Sequence, residues 1–261
     1  MKDLFCTVRS VERIAADIVD MRMCPAEPVA LEPGHFAHLA VPGGFLRRPI
    51  SIADAEDGGG SFRVLVQVVG AGTRALTALA PGDGLRALLP LGRPFPMAEI
   101  RALLRDRKRV WLVGGGIGLA PLLHVAARLA RDGADRARLR AFAGFRDAAH
   151  AYAVEELRAC AETTLAVGGF VTDSFLEALR DVTPDLVLAC GPTPLLKALQ
   201  AVCGERGIPA YASLEERMGC GLGACLVCNC GLRDPDDPGR IAYRRVCRDG
   251  PVFPLSEVVF P

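Results

Sequence analysis

The 261-residue sequence lacks a strong excess of charge of either sign, with 31 lysines and arginines against 30 aspartates and glutamates. Neither a basic stripe nor a polybasic tail is present, although these are the features by which proteins bind nucleic acid or an anionic membrane surface. We therefore expect no nucleic acid and no membrane among the partners, and ligands must be sought at specific sites.

Long apolar runs are also missing. The opening stretch MKDLFCTVRSVERIAAD has no apolar core of the kind found in a secretory signal. The most apolar stretch, residues 110–130, is interrupted by a glycine triplet, Pro121, His124 and Arg128. We expect neither a signal peptide nor a membrane span.

Histidine is scarce, and no histidine lies in a recognisable nucleophile or general-base motif. The four are His35, His38, His124 and His150. We expect each of them to be structural or to face solvent.

Cysteine is abundant, but half of the ten cysteines are scattered without paired spacing. These are Cys6, Cys24, Cys160, Cys190 and Cys203. Such scatter is not typical of a disulfide framework, and it favours reduced thiols in a cytoplasmic protein.

Four other cysteines follow the pattern C-x4-C-x2-C-x18-C near the carboxyl terminus: Cys220, Cys225, Cys228 and Cys247. This is plant-type [2Fe-2S] spacing, in which one tight loop presents three thiolates and a distant segment supplies the fourth. A structural zinc site is the alternative, but it favours two C-x2-C knuckles. The same C-x2-C step favours Cys228 over Cys230 as the third ligand, so we interpret Cys230 as a non-ligand.

Glycines in the cysteine loop support this prediction. Gly219, Gly221 and Gly223 allow positive φ angles and expose N–H groups that can bond to cluster sulfurs.

The order of predicted strands and helices divides the chain into three segments. Residues 1–97 are rich in predicted strands, such as 62–69, between Pro-Gly and glycine-rich turns, which predicts an antiparallel β-barrel. Strands and helices alternate over residues 98–210, which predicts a doubly wound parallel α/β domain. The four predicted strand–helix pairs are 110–113 with 119–131, 139–144 with 153–161, 164–167 with 173–180, and 186–190 with 194–205.

Residues 211–261 are rich in glycine and cysteine and contain a predicted turn, DPDDPG, at 234–239. This segment is too small to be held by apolar burial alone, so we expect the cluster to help fold it. The predicted fold class is thus a multi-domain α+β chain: a barrel, a doubly wound α/β domain and a small [2Fe-2S] module.

Two short motifs in the barrel segment suit a flavin dinucleotide. The strand end Arg48-Pro49-Ile50-Ser51 can place a guanidinium against a pyrophosphate, and the turn Gly72-Thr73 can add N–H donors. Each motif alone is more typical of a surface strand or an ordinary turn. Their position before a nucleotide-binding half favours the flavin interpretation.

A glycine-rich turn opens the α/β segment, with Gly114, Gly115, Gly116 and Gly118 directly after a strand. It is not a strict G-x-G-x-x-G match, but backbone at such a turn can approach a dinucleotide pyrophosphate. The alternative is a tight packing turn without a ligand. Cys190 ends a later strand on the same edge, where it could border a nicotinamide or belong to the core.

These motifs, with CGPTPLLKAL, EERMGCGLGACLVCNC and VCRDGPVF in that order over nearly the whole chain, resemble the ferredoxin-reductase superfamily. Within it, the sequence is most similar to the electron-transfer subunits of NAD-dependent (class 1B) dihydroorotate dehydrogenases. The cysteine tail makes the match specific.

The resemblance implies FAD, NAD and a [2Fe-2S] cluster on the four cysteines. The implied FAD contacts are Arg48, Pro49, Ile50, Ser51, Leu65, Val66, Gln67, Gly72 and Thr73. It also implies a TIM-barrel partner that carries FMN and oxidises dihydroorotate to orotate, in a heterotetramer with two copies of each chain.

Two features depart from the family pattern. His35 stands where glutamine is expected, and the polar, acidic loop expected before residue 169 is reduced to residues 166–168. Arg146 could face solvent or meet the 2′-phosphate of NADP. NAD is favoured on resemblance alone.

The cofactors suggest a mechanism. A nicotinamide exchanges two electrons at once as hydride, whereas a [2Fe-2S] centre carries one, so FAD must convert between them. Two alternatives stay open: a sister reductase subunit of ferredoxin-NADP reductase or sulfite reductase type, and a non-catalytic zinc-binding module.

Overall fold

The structure is a computed structural model that describes residues 1–234, 237 and 239–261. The turn predicted at 234–239 therefore lies partly outside the described residues. In the described part of the chain, no helix is both long and apolar enough to cross a membrane.

The amino-terminal part is a closed antiparallel barrel with the strand order β1-β2-β5-β4-β3-β6, as predicted. Alternate side chains of each strand point inward, and Met21, Val64 and Ala87 are among those that fill the barrel. The elements are β1 (Lys2–Arg13), β2 (Ile18–Pro25), β3 (Phe36–Leu39), β4 (Arg48–Ala55), β5 (Phe62–Gln67), α1 (Ala71–Thr77) and β6 (Gly84–Leu91).

The middle part is a parallel sheet with helices on both faces. Five strands run parallel in the order β11-β10-β7-β8-β9, and the predicted alternation of strand and helix is confirmed. The elements are α2 (Met97–Arg105), β7 (Val110–Gly115), α3 (Leu119–Arg131), β8 (Leu139–Phe145), α4 (Val154–Cys160), β9 (Glu162–Val167), α5 (Val171–Ala178), β10 (Leu186–Cys190), α6 (Thr193–Glu205) and β11 (Ala210–Ser213). All five residues of β10 are buried, as expected for a central strand covered on both faces.

The carboxyl-terminal part forms a three-stranded sheet and also extends the parallel sheet. Strands β12 (Asn229–Arg233), β13 (Ile241–Arg245) and β15 (Val258–Val259) pair in the order β13-β12-β15. Strand β14 (Val252–Pro254) pairs antiparallel with β11. The predicted boundary between residues 210 and 211 falls inside β11, so the third segment begins within the parallel sheet.

The barrel and the α/β part meet around helix α3. Arg63 of β5 is buried and pairs with Asp20 in the barrel at 2.7 Å and with Glu156 of α4 at 2.5 Å. Arg131 of α3 pairs with Asp54 of β4 at 2.8 Å. These ion pairs fix the two parts against each other beside the clefts described below.

Candidate functional site

The four spaced cysteines lie together, as two pairs. The Cys220 N–H donates to the Cys225 sulfur and the Cys225 N–H donates to the Cys220 sulfur, each at 3.4 Å. The Cys247 N–H donates to the Cys228 sulfur at 3.5 Å, although these residues are 19 apart in sequence. The loop after β11 and the turn after β13 therefore bring all four thiols to one place, in two pairs.

Two pairs of thiols suit a dinuclear cluster, in which each iron takes two protein ligands. A single zinc ion would need the sulfurs around one point. Among the described residues, no group of three or more His, Cys, Asp or Glu side chains is arranged to hold one metal ion. The donor set fits [2Fe-2S] better than it fits zinc.

The two pairs differ in their electrostatics. Desolvation opposes ionisation of Cys220, but hydrogen bonds from the backbone of Cys225 and Leu222 outweigh it and lower the pKa of that thiol to about 6. Burial, followed by the neighbouring Cys228, raises the pKa of Cys247 to about 12. We expect Cys247 to lose its proton to solvent when a metal binds its sulfur, because metal coordination deprotonates a thiol.

The cysteine loop has little room for side chains. Gly221 and Gly223 adopt left-handed φ angles of +68° and +81°. A Cβ at Gly221 would lie 2.6 Å from Nδ1 of His38. Arg245 clamps the loop, because it donates to the Gly223 carbonyl at 3.1 Å while pairing with Asp249 at 2.9 Å.

A first cleft of about 460 Å³ lies between the barrel and the segment that leads into the cysteine loop. Arg48 donates to the Leu46 carbonyl at 2.7 Å, and a Cβ at Gly72 would lie 2.6 Å from the Arg48 guanidinium. The Thr73 hydroxyl accepts from the Gly70 N–H at 3.1 Å and so caps α1. The predicted flavin contacts that line this cleft are Arg48, Pro49, Ile50, Ser51, Leu65, Gln67 and Thr73.

A second cleft of about 930 Å³ opens at the carboxyl edge of the parallel sheet. It is lined by Gly115 at the end of β7, Gly116 directly after it, Arg146 after β8 and Gly191 after β10. The Tyr152 hydroxyl donates to the Gly116 carbonyl at 2.9 Å and holds the glycine turn in place. The carboxyl edge is where nucleotides bind in open α/β sheets.

The two clefts meet at Gln67, Ile117 and Glu215, which line both of them. Glu215 is the titratable side chain at this junction. Its carboxylate is open to the clefts, but the surrounding protein desolvates it and raises its pKa. Two planar ligands, one in each cleft, would meet beside these three residues.

The sequence is similar to that of curated proteins over its whole length. The dihydroorotate dehydrogenase B (NAD(+)) electron transfer subunit of Bacillus velezensis (strain DSM 23117 / BGSC 10A6 / LMG 26770 / FZB42) is 38% identical over 270 residues, covering 99% of each chain. The chain belongs to this family. The same-named subunit of Shouchella clausii (strain KSM-K16) is 40% identical over 235 residues, covering 87% of this chain and 86% of that one.

One family model and one solved structure are also similar to this chain. The model of the iron-sulfur cluster binding domain of dihydroorotate dehydrogenase B matches residues 215–259. The solved structure of an NADH-dependent reduced ferredoxin-NADP oxidoreductase superposes with a TM-score of 0.79 at 27% identity, covering 97% of this chain and 89% of that one.

Not all predicted site residues line a cleft in this member of the family. Val66 points into the barrel core, as expected for the residue between Leu65 and Gln67 on a strand. Gly72 does not line the cleft but lies against the guanidinium of Arg48, which does.

In the glycine-rich turn after β7, too, some of the predicted residues line a cleft and others do not. Gly115 and Gly116 line the second cleft, whereas Gly114 packs against Leu119 and Gly118 against the Cys190 carbonyl. Cys190 itself is 1% exposed and lines neither cleft, and burial raises its pKa. Two of the four glycines, Gly114 and Gly118, therefore fit the alternative of a packing turn, and the other two line the cleft.

The sequence motifs did not predict which residues form the floor of the first cleft. Residues 215–218, Glu-Glu-Arg-Met, line it directly before the cysteine loop. Their motif contributed to the family resemblance, but its polar residues gave no separate signal of a cleft.

Each histidine was predicted to be structural or to face solvent. Nδ1 of His35 accepts the Glu32 N–H at 3.0 Å, which is a structural role in a turn. His38 and His124, however, are fully buried, and their ring nitrogens have no hydrogen-bond partner.

Proposed function

We propose that this chain passes electrons between NAD and a partner subunit, by way of FAD in the first cleft and a [2Fe-2S] cluster on Cys220, Cys225, Cys228 and Cys247. The observation that carries the proposal is the shared wall of the two clefts, continued within five residues of Glu215 by the first cysteine of the loop. One segment thereby borders the flavin cleft, the nicotinamide cleft and the cluster.

FAD, when bound, supplies the conversion between the two-electron chemistry of NAD and the one-electron chemistry of the cluster. Arg48 and the capped turn at Thr73 would bind its pyrophosphate, since a guanidinium and backbone N–H groups suit that anion. The backbone of Gly115 and Gly116 would approach the nucleotide in the second cleft. Val66, Gly72, Gly114, Gly118 and Cys190 would support these sites through backbone and packing.

Glu215 can hold a proton at its carboxylate beside both rings. Flavin reduction by single electrons consumes protons that a cluster does not deliver, so a titratable group at the junction is chemically useful. Its raised pKa favours the protonated form.

The partner is proposed from the family. The relatives' name, electron transfer subunit, implies a separate catalytic subunit. We propose an FMN-containing TIM barrel that oxidises dihydroorotate to orotate, in a cytoplasmic heterotetramer of two plus two chains. Apolar side chains around the cluster loop, Leu222, Leu226 and Val227, are about half exposed and suit such a contact.

A sister reductase subunit is the second candidate, favoured by the structural likeness to the ferredoxin-NADP oxidoreductase. Arg146 would then matter, because it lines the second cleft and could meet a 2′-phosphate. We retain NAD as the proposed nucleotide on family membership.

The test is anaerobic purification of the chain, alone and with the FMN subunit from the same genome. We expect about two irons, two sulfides and one FAD per chain, and NAD reduction by dihydroorotate only when both subunits are present. Zinc without flavin would overturn the proposal, and electron transfer to ferredoxin alone would favour the sister reductase.

A further inference from the structure

His38 is a buried polar side chain whose ring nitrogens have no partner. It lies on β3, is 1% exposed, and neither Nδ1 nor Nε2 makes a hydrogen bond of good geometry to any described residue. A buried polar group without a hydrogen-bond partner destabilises the folded chain. Such a group in a native chain calls for a partner or a function.

The cysteine loop is what lies against this ring. A Cβ at Gly221 would be 2.6 Å from Nδ1 and 3.3 Å from Cε1 of His38, so the loop backbone is in direct contact with the imidazole. The backbones of Arg47 and of Cys220 both lie near enough to act as hydrogen-bond partners of the ring. Gly221 also has a φ of +68°, so both its conformation and its contact with His38 require glycine.

The same residue belongs to the strand ladder that carries the flavin contacts. His38 of β3 pairs with Pro49 of β4 in the barrel register, beside Arg48 and Ile50. Its carbonyl also accepts from Arg47 at 3.3 Å. One backbone position thus connects the strand that borders the flavin cleft to the first ligand of the cluster loop.

We propose that His38 is a positioning residue for the cluster: its ring holds the backbone at Cys220 and Gly221, and so fixes the cluster loop relative to the flavin-binding strand. Residues that orient metal ligands typically contribute 10- to 100-fold to metal affinity or activity. A histidine ring suits this task because it can donate from one nitrogen and accept at the other.

The test compares three variants of the full chain purified anaerobically. His38→Leu removes both ring nitrogens, whereas His38→Gln keeps a donor and an acceptor. His124→Leu is the matched control, because His124 is equally buried and unpartnered but lies on α3, away from the cysteine loop. The readouts are iron release to a chelator, the electron paramagnetic resonance spectrum of the reduced cluster, and bound FAD.

We expect His38→Leu to release iron about 10- to 100-fold faster than the unmodified chain and to broaden or shift the resonance, with FAD retained. His38→Gln should recover most of the difference, and His124→Leu should release iron at the unmodified rate.

Equal iron release from His38→Leu and the unmodified chain, or equally fast release from His124→Leu, would overturn the inference. If His38→Leu does not fold, His38→Ala takes its place, and iron release and resonance of His38→Ala equal to those of the unmodified chain would overturn the inference. The inference rests on the proposed cluster, and an unmodified chain that contains no iron would instead overturn the proposed function.

Discussion

Gly72 shows how a single residue can control the flavin cleft without lining it. A Cβ at this position would lie 2.6 Å from the guanidinium of Arg48, which is the flexible end of a side chain and can move away. We expect Gly72→Ala to leave the fold intact but to displace Arg48 from its place beside the cleft.

Gly72→Ala should therefore weaken FAD binding by about tenfold, the loss expected for one hydrogen bond to a charged group worth about 1.5 kcal/mol. The measurement is titration of the flavin-free chain with FAD. Gly70→Ala is the control, because a Cβ there would meet nothing within 4 Å. Equal FAD affinity of the two variants would contradict this role of Gly72.

The ionisation of Glu215 predicts how the free energy of unfolding depends on pH. Desolvation by the protein around the clefts raises its pKa above the ordinary value of 4.5, so the folded chain holds this proton more tightly than the unfolded chain. Between those two pKa values, the free energy of unfolding must fall as pH rises, and the ionised carboxylate remains a cost at higher pH.

Glu215→Gln removes that cost. Thermal unfolding between pH 5 and pH 8 should show the variant gaining stability over the unmodified chain as pH rises. Glu216→Gln is the matched control for the loss of one negative charge in the same segment. A stability difference that shrinks with rising pH would contradict the assignment.

At the scale of elements, the cluster loop depends on its contact with the turn after β13. Arg245 donates to the Gly223 carbonyl and pairs with Asp249 through two nitrogens, at 2.9 and 3.2 Å. This clamp joins the three-cysteine loop to the turn that contains Cys247.

We expect Arg245→Ala to accelerate iron loss to a chelator by at least about tenfold, since the loop loses a charged donor. Arg244→Ala is the control, because the Arg244 side chain donates to the carbonyl of the neighbouring Tyr243 at 3.5 Å and not to the cysteine loop as the structure describes it. Similar iron retention by the two variants would show that the clamp does not support the loop.

The sequence predicts a strand or helix well where the pattern of apolar residues within that segment is enough to define it. The strands β7, β8 and β10 and the helix α3 were predicted to within two residues, because apolar runs alternate with glycine and helix signals. Strand β14 was not predicted. It has three residues, and its pairing with β11 is set by contacts about 40 residues apart.

The site was predictable to the same extent. Ligand spacing predicts the four cysteines as cluster ligands, because one loop must present three of them, and the structure brings them together in two pairs. Glu215 and His38 carry no motif of their own, and each becomes informative only when distant segments meet around it.

At the scale of the whole molecule, Arg63 holds the barrel to the α/β part. Its side chain is 6% exposed and pairs with Asp20 on its own side and with Glu156 across the interface. Removing the cation would leave Asp20 largely buried without its partner.

We expect Arg63→Met to lower the free energy of unfolding by about 3 kcal/mol. Glu156→Gln should cost less than about 1 kcal/mol, because its carboxylate is about half exposed. Urea unfolding of both variants checks the order, and a larger loss from Glu156→Gln would contradict it.

The two clefts and the cysteine loop follow one another along the molecule. The nucleotide cleft and the flavin cleft share Gln67, Ile117 and Glu215, and the flavin cleft continues through residues 215–218 into the cysteine loop. Exposed apolar residues then surround that loop at the surface. This order matches a path from NAD to a partner.

The most direct test of that path is the electron paramagnetic resonance spectrum of the isolated chain after anaerobic addition of NADH. The account predicts that the flavin bleaches and that the signal of a reduced [2Fe-2S] cluster appears, because the electrons must pass from one site to the next. Flavin bleaching without that signal, or a chain that NADH does not reduce, would contradict it.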